Sequence, residues 1–409
     1  MKVLVVGGGA REHALAWKLA QSPACTELHA APGNPGIARI GTCHPVHAED
    51  GEGLLSLCRG LGISLAVIGP EAPLVAGVAD LLRRGGIAVF GPSRAAARIE
   101  GSKSFAKDVM RAAVVPTART LAVARPPCVV KADGLAAGKG VFVCRDQVEL
   151  EAGLRAAAGF GGPIVIEELL EGDELSVFAL CDGSRAVPLP AAQDYKRLGE
   201  RDTGPNTGGM GSFTPVPGIG PGEVEEIVNT VHRPVLAELA ERGAPFIGTL
   251  FAGLMRTDDG VRVLEFNCRF GDPETQSIVP LIEGDLVTAL AEAAAGNLDG
   301  VEVAQSSRAA VTVVLAAGSY PAGSDSGTPI DGIEEAEAAG ALVFHAATAR
   351  RGDRIVTNGG RILNVTAVGD DLAEARERAY EAVERISFAN VRFRRDIALA
   401  AVEGSAVGG

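Results

Sequence analysis

Residues 2–90 repeat one local pattern: a short apolar run, a turn rich in glycine or proline, then a helical stretch. KVLVV at 2–6 meets GGGA and a helical pattern at 11–21, and a strand at 28–30 runs into APGNPG. LAVIGPEAPL at 65–74 leads into a helix ending near Arg84, and a strand at 87–90 ends in GPS. Strands alternating with helices imply an open parallel sheet, whose ligands gather at the carboxyl ends of the strands. Gly9, Asn34 and Glu71 fall at such ends and are expected around one pocket. The first turn is not a dinucleotide fingerprint. Gly7-x-Gly9 is followed by Glu12 at the third glycine position, and the next strand ends in Ala31-Pro32 with no acid for a ribose hydroxyl. A phosphate or ribose-phosphate at the helix N-terminus suits it better.

At roughly 150 residues per domain, the 409 residues make two to four domains. Apolar residues are 47% and charged ones 22%, as in an ordinary globular enzyme. The net charge of −13 argues against general affinity for nucleic acid, so any phosphate site must be local, and 4% aromatics leave little for base stacking. No apolar window approaches the ~18 residues of a membrane span, and the N-terminus lacks a signal-like apolar region; a cytoplasmic protein with no membrane partner is expected. The seven cysteines are odd in number, scattered and without a CxxC, which favours reduced thiols over disulfides or zinc.

Phosphate chemistry points to residues 129–143, VVKADGLAAGKGVFV. A P-loop needs GxxxxGK[ST] and a following helix; here only three residues separate Gly134 from Gly138, Gly140 follows Lys139, and a strand comes next. The segment reads as a β-hairpin flap whose backbone N–H groups approach phosphates, with Lys131 reaching in from the strand. Upstream, Ser102 can cap a helix to about residue 113, with Lys103 in its first turn, where a cation opposes the helix dipole and invites an anionic ligand. Residues 164–180 read as strand, acidic interruption, strand, suited to a hinge that holds adenine by backbone groups and ribose by a carboxylate. Residues 194–215, rich in Gly, Pro, Asn and Thr, are too long for a connector and are read as a functional loop. A helical stretch at 223–241 is kinked or broken at Pro234.

The stretch 261–276, VRVLEFNCRFGDPETQ, carries the densest chemistry. Its strand places Glu265 and Asn267 on one face, a carboxylate and a carboxamide whose hard oxygens suit Mg²⁺. Arg269, Asp272 and Glu274 then crowd beside Gly271 and Pro273. Beyond residue 307, strands at 309–316, 341–347 and 361–368 and a helix at 371–386 give an α+β unit; 318–332 reads as a surface loop and the last six residues as disordered.

Taken together, VVGGGAREHALAW, APGNPG, GPEAPL, EGSKSFAKD, VVKADGLAAGKGV, DTGPNTGGMGSFTP and LEFNCRFGDPETQ resemble the glycinamide ribonucleotide synthetase family over nearly the whole chain. KADGLAAGKGV and FNCRFGDPETQ are specific to that family within the ATP-grasp superfamily. The resemblance implies an α/β and α+β multidomain fold: a pre-ATP-grasp parallel α/β N-domain (1–100), an ATP-grasp core (101–300) with a mobile lid (about 118–184), and an α+β C-terminal domain (301–409). It implies ATP-dependent ligation of glycine to 5-phosphoribosylamine through glycyl phosphate, by a monomer or weak dimer. It puts Mg²⁺ or Mn²⁺ on Glu265 and Asn267, and ATP on Lys103, Lys131, Gly134, Gly138, Lys139, Gly140, Glu167, Glu168, Leu170 and Glu174. Lys131, Arg269 and Asp272 are assigned to catalysis. Gly9, Asn34, Glu71, Asp194, Lys196, Asn206, Thr207, Gly208, Gly209, Arg269, Gly271, Asp272 and Glu274 are assigned to the small substrates. Two departures stand out: Ala10 in the first loop, and a lid that reads as shortened, with 152–162 only a brief link. Another ATP-grasp carboxylate–amine ligase, or an ATP-binding protein without turnover, is the alternative reading.

Overall fold

The computed structural model describes residues 1–135 and 140–407, so Gly138 and Lys139 of the expected flap lie outside the described residues. Strand Lys2–Gly7 is the centre of a parallel sheet, flanked by Glu27–Pro32 and Leu65–Ile68, with Thr42–Cys43 and Ala88–Phe90 at the edges. Val3, Leu4, Val5 and Val6 are fully buried, as a strand covered on both faces requires. The chain steps outward from the first strand and then returns to its other side. The loops after Gly7 and Ile68 therefore meet at the switch point where such sheets open a crevice. Helix Ala10–Leu19 is capped by Gly9, so Ala10 is its buried first residue and needs none of a glycine's freedom.

In the middle of the chain, Asp173–Asp182, Ile247–Thr257 and Gly260–Asn267 pair antiparallel, with Ala186–Pro188 at the edge. The expected hairpin is present: Cys128–Ala132 pairs with Val141–Cys144 on one side and Ile164–Glu168 on the other. The lid is not the bare link the sequence suggests. Helix Gln147–Ala158, with Asp146 accepting from the Glu149 N–H, packs Leu150 and Ala157 onto Cys128, Val130 and Cys144 as a small separate core. Residues 221–241 form two helices, Pro221–Ile227 and Arg233–Glu241, joined by a π-type turn. Pro234 lacks the N–H that would continue the ladder and its ring crowds the preceding turn.

The C-terminal sheet is antiparallel in the order Gln193–Asp194, Gly211–Thr214, Ala309–Ala316, Arg361–Gly369, Leu342–His345. Helix Leu372–Val383 covers it with Ala375, Ala379 and Ala382. The first two of these strands come from the segment read as an irregular loop, which also holds the hairpin Arg197–Gly199 with Thr203–Asn206. Likewise 318–332 is not all loop, since Asp325–Pro329 pairs with Arg354–Gly359. Helix Leu399–Val407 extends into the tail expected to be disordered. All seven cysteines are free, and no helix among the described residues is long and apolar enough to cross a membrane.

Candidate functional site

The parallel sheet, the antiparallel sheet, the lid and the C-terminal sheet converge on one cleft of about 800 Å³. Nineteen of the residues singled out from sequence line it: Lys103, Lys131, Gly134, Gly140, Glu167, Glu168, Leu170, Glu174, Glu71, Asp194, Lys196, Asn206, Thr207, Gly208, Glu265, Asn267, Arg269, Asp272 and Glu274. Gly9, Asn34, Gly209 and Gly271 are not on its lining.

Glu265 is the electrostatic centre. Burial raises its pKa, but Lys196, Lys131, Lys103 and Arg269 outweigh that and hold it below the usual carboxylate range, so it stays an anion. Lys131 Nζ lies 2.6 Å from Glu167 Oε2 and donates to the Leu264 carbonyl at 2.8 Å. Lys107 holds the other Glu167 oxygen at 2.8 Å. Glu167, expected at an adenine hinge, thus spends its buried side chain fixing two lysines, while Glu168 pairs with Arg119 at 2.7 Å. Lys103 donates to the Gly134 carbonyl at 3.0 Å; burial lowers its pKa although Glu265 opposes the shift. Gly134 has φ +102°, a conformation that selects glycine, and among the described residues nothing lies within 4 Å of the place a Cβ would take.

The base of the flap is tied by Asp133, which accepts from the Lys103 N–H at 2.5 Å, Ser104 Oγ at 2.5 Å and the Gly134 N–H at 3.0 Å. The hairpin is thereby fastened to the N-terminus of helix Lys103–Ala112.

A second cluster surrounds Lys196, 2.8 Å from Glu174. Burial works against its charge, yet Glu174, Asp194 and Glu265 raise its pKa well above the usual value. Burial raises both Asp194 and Glu274, and Glu274 accepts from Ser176 Oγ at 3.1 Å.

A third cluster joins the parallel sheet to the strand end. Arg269 lies 3.0 Å from Glu71, 3.0 Å from Glu100 and 3.3 Å from the Asn267 carboxamide oxygen, and also donates to the Phe270 carbonyl. Burial would raise Glu71, but Arg269 and Arg11 take it down to about 2. Asp272 is 2.6 Å from Arg361, and despite burial Arg361 and Arg11 keep it below the usual carboxylate range.

The glycine turn after the first strand has a different occupant from the one its sequence suggests. Glu12 accepts from the Gly9 N–H at 2.7 Å and from Arg11 Nε at 2.6 Å, and a Cβ on Gly69 would fall 2.1 Å from its carboxylate. One of the amides an external anion would use there, that of Gly9, is taken by this chain's own carboxylate. Asn34 is similarly committed, donating to the carbonyls of Gly8 at 2.9 Å and His345 at 2.7 Å.

Family models match three consecutive parts of the chain: phosphoribosylglycinamide synthetase N domain over residues 1–100, its ATP-grasp (A) domain over 101–275 and its C domain over 310–400. The chain belongs to the phosphoribosylglycinamide synthetase family. Within the family, it is 51% identical to the phosphoribosylamine–glycine ligase of Streptomyces coelicolor over 414 residues, 97% of this chain and 99% of that protein. The crystal structure of the Thermotoga maritima phosphoribosylamine–glycine ligase superposes with TM-score 0.85 at 38% identity, covering 97% of this chain and 100% of that one. At 18% identity, the biotin carboxylase domain of Hydrogenobacter thermophilus 2-oxoglutarate carboxylase shares the fold with TM-score 0.67, covering 96% of this chain and 91% of that one. Sequence reading missed several cleft residues of this family member: Arg11, Glu100, Lys107 and Arg361. Arg11 stands in the very motif singled out for its glycines, and Glu100 and Lys107 stand with Lys103 in EGSKSFAKD; Arg361 lies on a strand whose local pattern says nothing about a ligand.

Proposed function

We propose that this protein ligates glycine to 5-phosphoribosylamine with ATP, forming glycinamide ribonucleotide, ADP and phosphate. The observation that carries the ATP-dependent chemistry is the convergence of Lys103, Lys131 and Lys196 on Glu265 in the cleft. The choice of acid and amine rests on the name shared by the relatives.

Attack of the glycine carboxylate on the γ-phosphoryl group brings two anions together, so the first requirement is fixed positive charge. Lys103, Lys131 and Lys196 supply it, and Glu167 and Leu264 hold the buried Lys131 in place so that little reorganisation is needed. A carboxylate oxygen bonds to phosphorus as ADP leaves, giving glycyl phosphate. The amine of 5-phosphoribosylamine then attacks the acyl carbon, phosphate departs, and the amine loses a proton. Because the acyl phosphate hydrolyses in water, the site must close, a task suited to the lid tied down by Asp133.

Glu265 and Asn267 fit a divalent cation. Both line the cleft from one face of a strand and offer hard oxygens, and among the described residues no group of three His, Cys, Asp or Glu forms a self-sufficient metal cage. A two-residue protein set completed by phosphate oxygens is what Mg²⁺ accepts. Mg²⁺ or Mn²⁺ held there would neutralise phosphate oxygens. Arg269, whose guanidinium reaches Asn267, Glu71 and Glu100, orients the carboxamide. We also place the protein in the cytoplasm.

ADP release measured with ATP and each substrate alone, then both together, tests the reading. Full release is expected only with glycine and 5-phosphoribosylamine together; release with bicarbonate or another amino acid in place of glycine would replace it by another carboxylate–amine ligase.

A further inference from the structure

Both main-chain polar groups of Gly208 end on side chains from the C-terminal part of the chain. The N–H donates to the Tyr320 hydroxyl at 2.8 Å, and the carbonyl accepts from Arg361 Nη1 at 2.5 Å. The same guanidinium donates to the Asp272 carbonyl at 3.1 Å and to its carboxylate at 2.6 Å. Arg361 thus fastens two walls of the cleft to each other. It occupies the start of its strand, where the register with Ala309–Ala316 shifts between Leu315 and Ala316, the kind of irregularity that re-aims a side chain. Gly208 makes room for it: a Cβ there would lie 3.1 Å from Arg361 Cζ.

The hydrogen bonds of the guanidinium go to residues 208, 209 and 272, none of which belongs to the lid hairpin or to the lysines around Glu265. Glycine must lie against the γ-phosphoryl group, hence beside those lysines. The larger ribosyl phosphate has to use walls that neither lid nor lysines supply; residues 206–208, Asp272 and Arg361 form one of them, beside the wall made by Arg11, Glu71 and Arg269.

We propose that Arg361, assisted by Tyr320, is a positioning residue for the acceptor amine: by locking the 206–208 turn to Asp272 it sets the shape of the cleft that receives 5-phosphoribosylamine. This rests on the functional reading above. A bidentate, planar donor suits the task, since one guanidinium serves a main-chain carbonyl and a carboxylate at once, which a lysine ammonium does with less directional control.

The test uses the full-length protein and the variants Arg361→Met, Arg361→Lys and Tyr320→Phe. In Arg361→Met the KM for 5-phosphoribosylamine should rise about 10-fold or more while the KM for ATP stays within about twofold, the pattern of a misplaced wall and not of general damage. Arg361→Lys should fall between wild type and Arg361→Met, and Tyr320→Phe, which removes only a hydroxyl, should shift the same constant by a smaller factor. Hydrogen exchange on the same proteins should quicken at 206–210 and not in the lid hairpin. Equal rises in both KM values, or unchanged exchange at 206–210, would overturn the clamp. Wild-type protein that releases no ADP with both substrates would sink the functional reading, and the exchange comparison would still judge the clamp.

Discussion

Glu265 is a carboxylate kept charged by its neighbours in a half-buried place, and that is the condition for a side chain to hold a cation next to a polyanion. Replacing it with glutamine keeps the size and removes the charge. In the Glu265→Gln protein we expect turnover to fall at least ~10-fold and the Mn²⁺ affinity of the ATP complex, read by paramagnetic resonance, to weaken by a similar factor. Unchanged Mg²⁺ dependence and unchanged Mn²⁺ binding would remove Glu265 from the metal set. The pairing of Glu265 with Asn267 could be read from the sequence because it needs only the period of a strand. Arg361 and Glu100 could not be, because their partners lie 89 and 168 residues away in the chain, at Asp272 and the Cys268 N–H. Glu12 misled in the opposite direction: it looked like a flaw in a glycine fingerprint, whereas its carboxylate is what the glycines accommodate.

Among the elements, the lid hairpin has one carboxylate, Asp133, that takes three of the bonds at its base. Asp133→Ala would leave the Lys103 and Gly134 N–H groups without their acceptor, at a cost of about 1–3 kcal/mol locally. Because the lid has a small core of its own, we expect faster amide exchange across 128–144 and a higher KM for ATP, with little change in the global melting temperature. A large global loss with unaltered lid exchange would contradict this. The hairpin was visible in its glycines and apolar flanks. Helix Gln147–Ala158 was not, since Gly153 interrupts it and much of its apolar content is alanine, so its periodicity is weak. Strand Asp325–Pro329, composed of residues typical of turns, owes its form to pairing with Arg354–Gly359, a non-local cause that no local pattern carries.

For the molecule as a whole, acid sensitivity is the most direct expectation. Burial pushes His345 and His232 down to about 4, and burial, with His345 and Arg39 nearby, holds His13 well below its usual value. His13 and His345 meet where the N-terminal helix touches the C-terminal sheet, the His345 N–H donating to His13 Nδ1 at 2.8 Å. With folded pKa values below the unfolded ~6.5, the unfolded chain binds more protons between about pH 4 and 6.5. Stability therefore falls as pH drops through that window, by up to about 1.4 kcal/mol per pH unit for each histidine. Burial-raised Asp194 and Glu274 work the other way, so the contribution is isolated by comparing His232→Leu with wild type at pH 7 and pH 5. The variant should lose less stability between the two; equal losses would show that His232 does not contribute.

The C-terminal sheet borrows Gln193–Asp194 and Gly211–Thr214 from the middle of the chain, pairing the latter with Ala309–Ala316. During synthesis the ribosome releases the N-terminal end first, at about 5–20 residues per second. The 193–214 segment is therefore made well before the strand it must join, and until then the outer edge of Gly211–Thr214 has no mate. The cleft is completed only when nearly the whole polypeptide has emerged. A stop codon before residue 309 would remove the wall that Arg361 supplies, so it should give an inactive product instead of a smaller working enzyme.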